Sequence, residues 1–162
     1  MAEILIINPK HSKDEKYEAI YPQIQALILP EPNLVANLAN ISAVLKEAFG
    51  FFWVGFYFVE NEELVLGPFQ GPVACSRFPI SQGVCGAAVT QKKTIIVPDV
   101  DKFPGHISCS VFSRSEIVVP LLLGEKVVLV LDVDSEVIDD FDQSDQNGLE
   151  RILTLVSGLN FQ

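Results

Sequence analysis

The chain has 162 residues, 49% of them apolar and 20% charged, and a formal net charge of -10. That length suits one core rather than two, and the apolar share excludes a disordered chain. The acidic balance argues against nucleic acid and anionic lipid as partners, since both require a cationic surface.

Residues 1–12 read as a loosely ordered arm ahead of a single domain that takes in the rest of residues 1–162. Glu3 and a short apolar run before Asn8-Pro9 lack the basic and extended apolar regions of a secretory leader. No later run approaches the roughly 20 apolar residues of a membrane-spanning helix. A cytoplasmic, reducing setting follows, where three cysteines do not suggest a structural disulfide framework.

In "KYEAIYPQIQALIL", Tyr17, Ile20, Tyr21, Ile24, Leu27 and Ile28 recur at helical spacing, with Pro22 in a first turn or at a kink. "NLVANLANISAVLKEAFG" predicts a second helix with Leu34, Leu38, Ile41, Leu45 and Phe49 on one face and Gly50 as its C-terminal cap. "FFWVGFYFVE", the turn "NEE" and "LVLGPF" form a hairpin. Residues 83–93 read as a short weak helix leading to the strand "TIIVP", and "EIVVPLLL" pairs with "KVVLVLDVD" around Gly124-Glu125. A last helix begins at Asp142 or Ser144 and carries Leu149, Ile152, Leu153 and Val156 as its apolar stripe. Helices at both ends of a strand-rich middle predict an α+β fold, with a central, largely antiparallel sheet flanked by the N-terminal and C-terminal helices.

Dinucleotide, P-loop, zincin and α/β-hydrolase signatures are missing, so those chemistries lack their mechanical parts. Cys75, Cys85 and Cys109 with His106 are ligand types that zinc accepts, but no C-x-x-C knuckle joins them, so no metal is expected. Cys85, in an Ala-rich helix, suits burial as a small apolar side chain, whereas Cys75 and Cys109 lie among polar and turn residues. Trp53 and Tyr57 share a strand face, either in the core or as an aromatic wall for a small ligand.

Asp132 and Asp134 alternate within an apolar run, so a strand points both to one face, at a solvated edge or around a bound group. A plain two-residue hairpin at Gly124-Glu125 places Glu116 across from Val133 and on the other face. A one-residue shift, which Pro120 makes tolerable nearby, brings it opposite an aspartate instead. We therefore expect Glu116, Asp132 and Asp134 to converge on one pocket.

The ordered motifs "WVGFYF", "LVLGPFQGPVAC", "GVCGAAV", "PDVDKFPGHISC", "SEIVVPL" and "LDVDS" resemble the free methionine-(R)-sulfoxide reductases, which are single GAF domains, over almost the whole chain from about Tyr17. The resemblance implies a GAF-like fold and a thiol-dependent reductase that converts free L-methionine-(R)-sulfoxide to methionine through a cysteine sulfenic acid and an intramolecular disulfide. By the same resemblance Cys109 attacks the sulfoxide, and the sulfenic acid is resolved by Cys75, the favoured partner, or by Cys85, the other matched thiol of the catalytic set. Glu116, Asp132 and Asp134 contact the sulfoxide oxygen and the ammonium group, with Glu116 joining in catalysis. Trp53 and Tyr57 shape the methyl pocket, and the main chain of Ile107, Ser108 and Cys109 holds the carboxylate. No cofactor is bound; an external dithiol, thioredoxin-like, restores the thiols, and a homodimer is one arrangement that the residues leave open. Two positions depart from the family pattern: Ser110 stands where aspartate is more frequent, and Leu129 where glycine is common. The competing reading is a GAF module that binds a small ligand, or senses redox state, without catalysis.

Overall fold

A computed structural model describes residues 4–107 and 109–161. Among the described residues four helices, α1 (Lys13–Ile28), α2 (Leu34–Phe49), α3 (Gly83–Gln91) and α4 (Gln143–Val156), accompany six strands. These are β1 (Trp53–Glu60), β2 (Glu63–Gln70), β3 (Arg77–Pro79), β4 (Ile95–Val97), β5 (Ser115–Leu123) and β6 (Lys126–Ser135). They form one sheet in the order β3-β2-β1-β6-β5-β4, with every neighbouring pair antiparallel. This is the expected α+β class.

Period-two alternation divides the sheet into two faces. Val54 and Phe56 of β1, Ile117 and Val119 of β5, and Leu129, Leu131 and Val133 of β6 are buried in one cluster with the apolar stripes of α1, α2 and α4. Leu129 is fully buried in this core. Trp53, Tyr57, Val118 and Val130 occupy the opposite face, in a second cluster with Val84, Cys85 and Ala88 of α3. The three long helices thus cover one face, and α3 with its flanking loops covers the other. That second face carries the polar site.

Capping explains the helix limits. Ser12 accepts from the Glu15 amide while the Glu15 carboxylate accepts from the Ser12 amide, so α1 starts earlier than its apolar stripe suggests. Pro22 lies inside α1, not in its first turn. It is exposed, so the Glu18 carbonyl that loses its helical donor is on a water-facing side, while Ile20, Ile24 and Ile28 are buried on the other. Ahead of α1, residues 4–11 form no helix or strand, but Gln23 bonds both the amide and the carbonyl of Ile6. Asn33 caps α2, Gly50 ends it in the left-handed conformation at φ 72°, and Asp142 caps α4.

Where α4 crosses α1, Gly148 faces the ring of Tyr17, and a Cβ added there would stand 2.2 Å from that ring. The Tyr17 hydroxyl donates to buried Asp145, which also takes the Lys13 ammonium, so the ring cannot retreat without breaking this network. Gly148→Ala is therefore expected to destabilise the fold by about 1–3 kcal/mol, read as a lower urea midpoint at unchanged slope.

Candidate active site

The site is built from the strand faces. In β1 paired with β6, Trp53 lies opposite Asp134, Gly55 opposite Asp132 and Tyr57 opposite Val130. Gly55 has no room for a side chain: a Cβ there would meet the Phe69 Cβ at 2.3 Å and the Trp53 ring at 2.6 Å. Its bare backbone beside Asp132 lets the indole lie across the strand.

β5 supplies the third acid through an irregular register. Leu123 pairs with Lys126 and Leu122 with Val127 across the Gly124 turn, but Leu121 then pairs with Leu129. Val128 is thus the extra residue of a bulge, and every later pair shifts by one. Glu116 lands opposite Asp134, on the face that Asp132 shares, instead of opposite Val133.

Burial and mutual repulsion govern this trio. Glu116 is 6% and Asp132 7% exposed. Burial, and then the Asp134 charge, push the Glu116 carboxyl well above the usual carboxylate range. Burial does the same to Asp132, reinforced by Glu116 and Asp134. Burial also lifts Asp134, to about 6, against the opposing pull of a Ser113 hydrogen bond and of His106. Carboxyls raised in this way keep their protons to higher pH than free ones and can donate them. The Asp132 carboxyl is hydrogen-bonded to Glu116 and to the Cys85 thiol, while its buried Oδ1 has no donor among the described residues.

The rim is made by two loops. Residues 71–76 are held down on β1, because Trp53 Nε1 donates to the Pro72 carbonyl at 3.1 Å and the Tyr57 hydroxyl donates to the Cys75 carbonyl at 3.1 Å. The second loop follows a 3-10 turn at Val100–Lys102, and the Gly83 amide at the head of α3 donates to the Gly105 carbonyl. Gly105 has φ 74°, a conformation that Pro104-Gly105 allows at little cost. A disulfide between Cys75 and Cys109 joins the loops, with Cα atoms 5.5 Å apart.

Together these parts enclose a cavity of about 50 Å³ lined by Trp53, Tyr57, Cys85, Ile107, Cys109, Glu116, Asp132 and Asp134. Ring centroids of Trp53 and Tyr57 lie 5.9 Å apart, and Phe78 stands edge-on to Tyr57. Trp53 and Tyr57 are 4% and 2% exposed, so they serve as core and pocket wall at once. Ile107 lines the cavity, but the Cys109 amide donates to the Ile107 carbonyl at 3.0 Å and is engaged within the loop. Ser108, expected to contribute its main chain, lies outside the described residues.

Cys85 is 3% exposed and free, beneath the acids. Its sulfur and one oxygen each of Glu116 and Asp132 lie within 4.8 Å of one another, close enough to share a metal ion. Burial, then the neighbouring acids, push the Cys85 thiol well up. All three groups favour their neutral forms, whereas a metal binds the ionised ones. The zinc set weighed from sequence is not assembled, because Cys75 and Cys109 are bonded to each other.

Two pocket residues escaped the sequence reading of the site. His106 Nε2 lies 3.6 Å from a Glu116 oxygen, the only group of a basic residue among the described lining residues, and Ser113 bonds Asp134. From the sequence His106 reads only as a candidate zinc ligand; its place three residues before Cys109 is the available signal.

A family model described as GAF domain matches residues 35–158. The chain is 57% identical over 157 residues to GAF domain-containing protein A of Dictyostelium discoideum, covering 96% of this chain and 99% of that protein. It is 43% identical over 143 residues to the free methionine-R-sulfoxide reductase of Escherichia coli K12, covering 88% and 87% respectively. Among solved structures, the free methionine-R-sulfoxide reductase of Neisseria meningitidis in complex with its substrate superposes with a TM-score of 0.90 at 48% identity, over 95% of this chain and 94% of that one.

Proposed function

The chain belongs to the GAF-domain family of free methionine-R-sulfoxide reductases, and from that premise we propose that it reduces free methionine-R-sulfoxide with Cys109 as the attacking sulfur. The observation that carries this reading is the placement of the Cys75–Cys109 disulfide at the rim of a cavity lined by Glu116, Asp132 and Asp134.

The cycle starts from the reduced form. An acid of the cluster, Glu116 in our reading, donates its proton to the sulfoxide oxygen and so makes the sulfur electrophilic. The Cys109 thiolate attacks that sulfur, the oxygen passes to Cys109 as sulfenic acid, and methionine departs two electrons richer. Cys75 then attacks the sulfenic sulfur; the S–S bond forms and water leaves. An external dithiol, thioredoxin-like by family analogy, returns two electrons by exchange, a cycle suited to a reducing cytoplasm. Asp132 and Asp134 take the substrate ammonium, for which the unpartnered Asp132 Oδ1 is a ready acceptor. Trp53 and Tyr57 flank the methyl group, and the loop at Ile107, Ser108 and Cys109 meets the carboxylate.

Dithiothreitol oxidation coupled to separated epimers of the free amino acid tests the proposal. Turnover is expected with the R epimer and none with the S epimer or with a peptide-bound sulfoxide. A protein that binds the R epimer but consumes no dithiol would be a binding module, and the reductase reading would fall.

A further inference from the structure

The disulfide is surrounded by apolar side chains that no core uses. Val73, two residues before Cys75, is 89% exposed; Val111 and Phe112, two and three residues after Cys109, are 82% and 62% exposed. The S–S bond draws these two loops together, so residues far apart in sequence share one surface around it. Phe112 meets the ring of Phe52 edge-on at 6.4 Å between centroids, which props it beside the pocket mouth. Cys75 and Cys109 are themselves half-buried, within reach from outside.

We propose that Val73, Val111 and Phe112 form an apolar collar on which a protein dithiol docks to reduce the Cys75–Cys109 disulfide. The inference rests on the reductase reading above, because only a disulfide formed in every cycle needs a partner here each time. The disulfide form described is also the form that such a partner meets. A thiolate must come into line with the S–S bond, so whatever surrounds the partner's sulfur has to lie against this collar. A flat apolar surface around that sulfur fits: contact there removes the collar from water without placing a charge against a chain of net charge -10.

The exchange balances. The partner's thiolate bonds to one sulfur of the pair, and the other leaves as a thiolate that takes a proton. The partner's second thiol then displaces the mixed disulfide, so the partner ends oxidised while Cys75 and Cys109 end as two thiols.

Val111→Ser, Phe112→Ser and the double variant separate docking from chemistry, since neither residue lines the cavity. With a thioredoxin-type protein, kept reduced, as electron source, kcat/KM for that protein is expected to fall about tenfold in the double variant. Turnover driven by dithiothreitol, which needs no collar, should stay at the wild-type level. An unchanged rate with the protein dithiol overturns the proposal, including the case where the variants only dissociate a dimer. An equal fall with both reductants overturns it too, since the residues would then be supporting the loop. Absence of dithiothreitol-driven turnover in the wild type would bring down the functional reading, and the collar with it.

Discussion

Cys109→Ser is expected to lose turnover of free methionine-R-sulfoxide by about 10⁴-fold or more while still binding it. A serine hydroxyl at neutral pH is almost wholly protonated and far less nucleophilic toward sulfur, so the oxygen-transfer step stops. Binding survives because the cavity floor belongs to β1, β5 and β6, whose register does not depend on the loop sulfur.

Cys75→Ser separates the two halves of the cycle. Without added dithiol, one methionine per chain should appear in a rapid burst, leaving a sulfenic acid at Cys109 that dimedone traps. Quenched-flow chromatography with peptide mapping reads both products. A burst that survives in Cys109→Ser, or a dimedone adduct on Cys85 in place of Cys109, would move the nucleophile elsewhere. The buried Cys85 thiol, pushed upward by its surroundings, is poorly suited to that part.

How far these residues could be read from sequence depended on how local the cause was. Parity within β6 was enough to put Asp132 and Asp134 on one face, because alternation is a property of a single strand. Their meeting with Glu116 was not local: it required the extra residue at Val128, and an apolar Val in an apolar strand bears no mark of a bulge. Pro120 showed only that an irregularity was affordable nearby. The three residues of β3 and the 3-10 turn at Val100–Lys102 are too short to display any period. Ser12 and Glu15 did carry a local signature, the capping box, that fixes the start of α1 better than its apolar stripe. His106 is a tertiary fact, meeting Glu116 only once the loop folds back over β5.

Glu116→Gln should stabilise the empty protein at neutral pH and at the same time lower kcat by about 10²–10⁴-fold. In the unfolded chain Glu116 loses its proton near pH 4.3, whereas in the folded protein burial and the Asp134 charge keep it protonated to well above that. Between those two values the folded state holds more protons than the unfolded one, so stability falls as pH rises through the window. Asp132 and Asp134 act in the same direction, the latter up to about 6. Glutamine has no proton to lose, so its advantage in melting temperature should be near zero at pH 4 and grow toward pH 8. The same substitution removes the acid that would protonate the sulfoxide oxygen, which is why a gain in stability accompanies a loss of rate. Melting curves across that range, set beside single-turnover rates, test both halves. A variant destabilised at neutral pH, by an amount that shrinks toward pH 4, would mean that Glu116 is ionised in the folded protein, and the acid's role as proton donor would have to be given up.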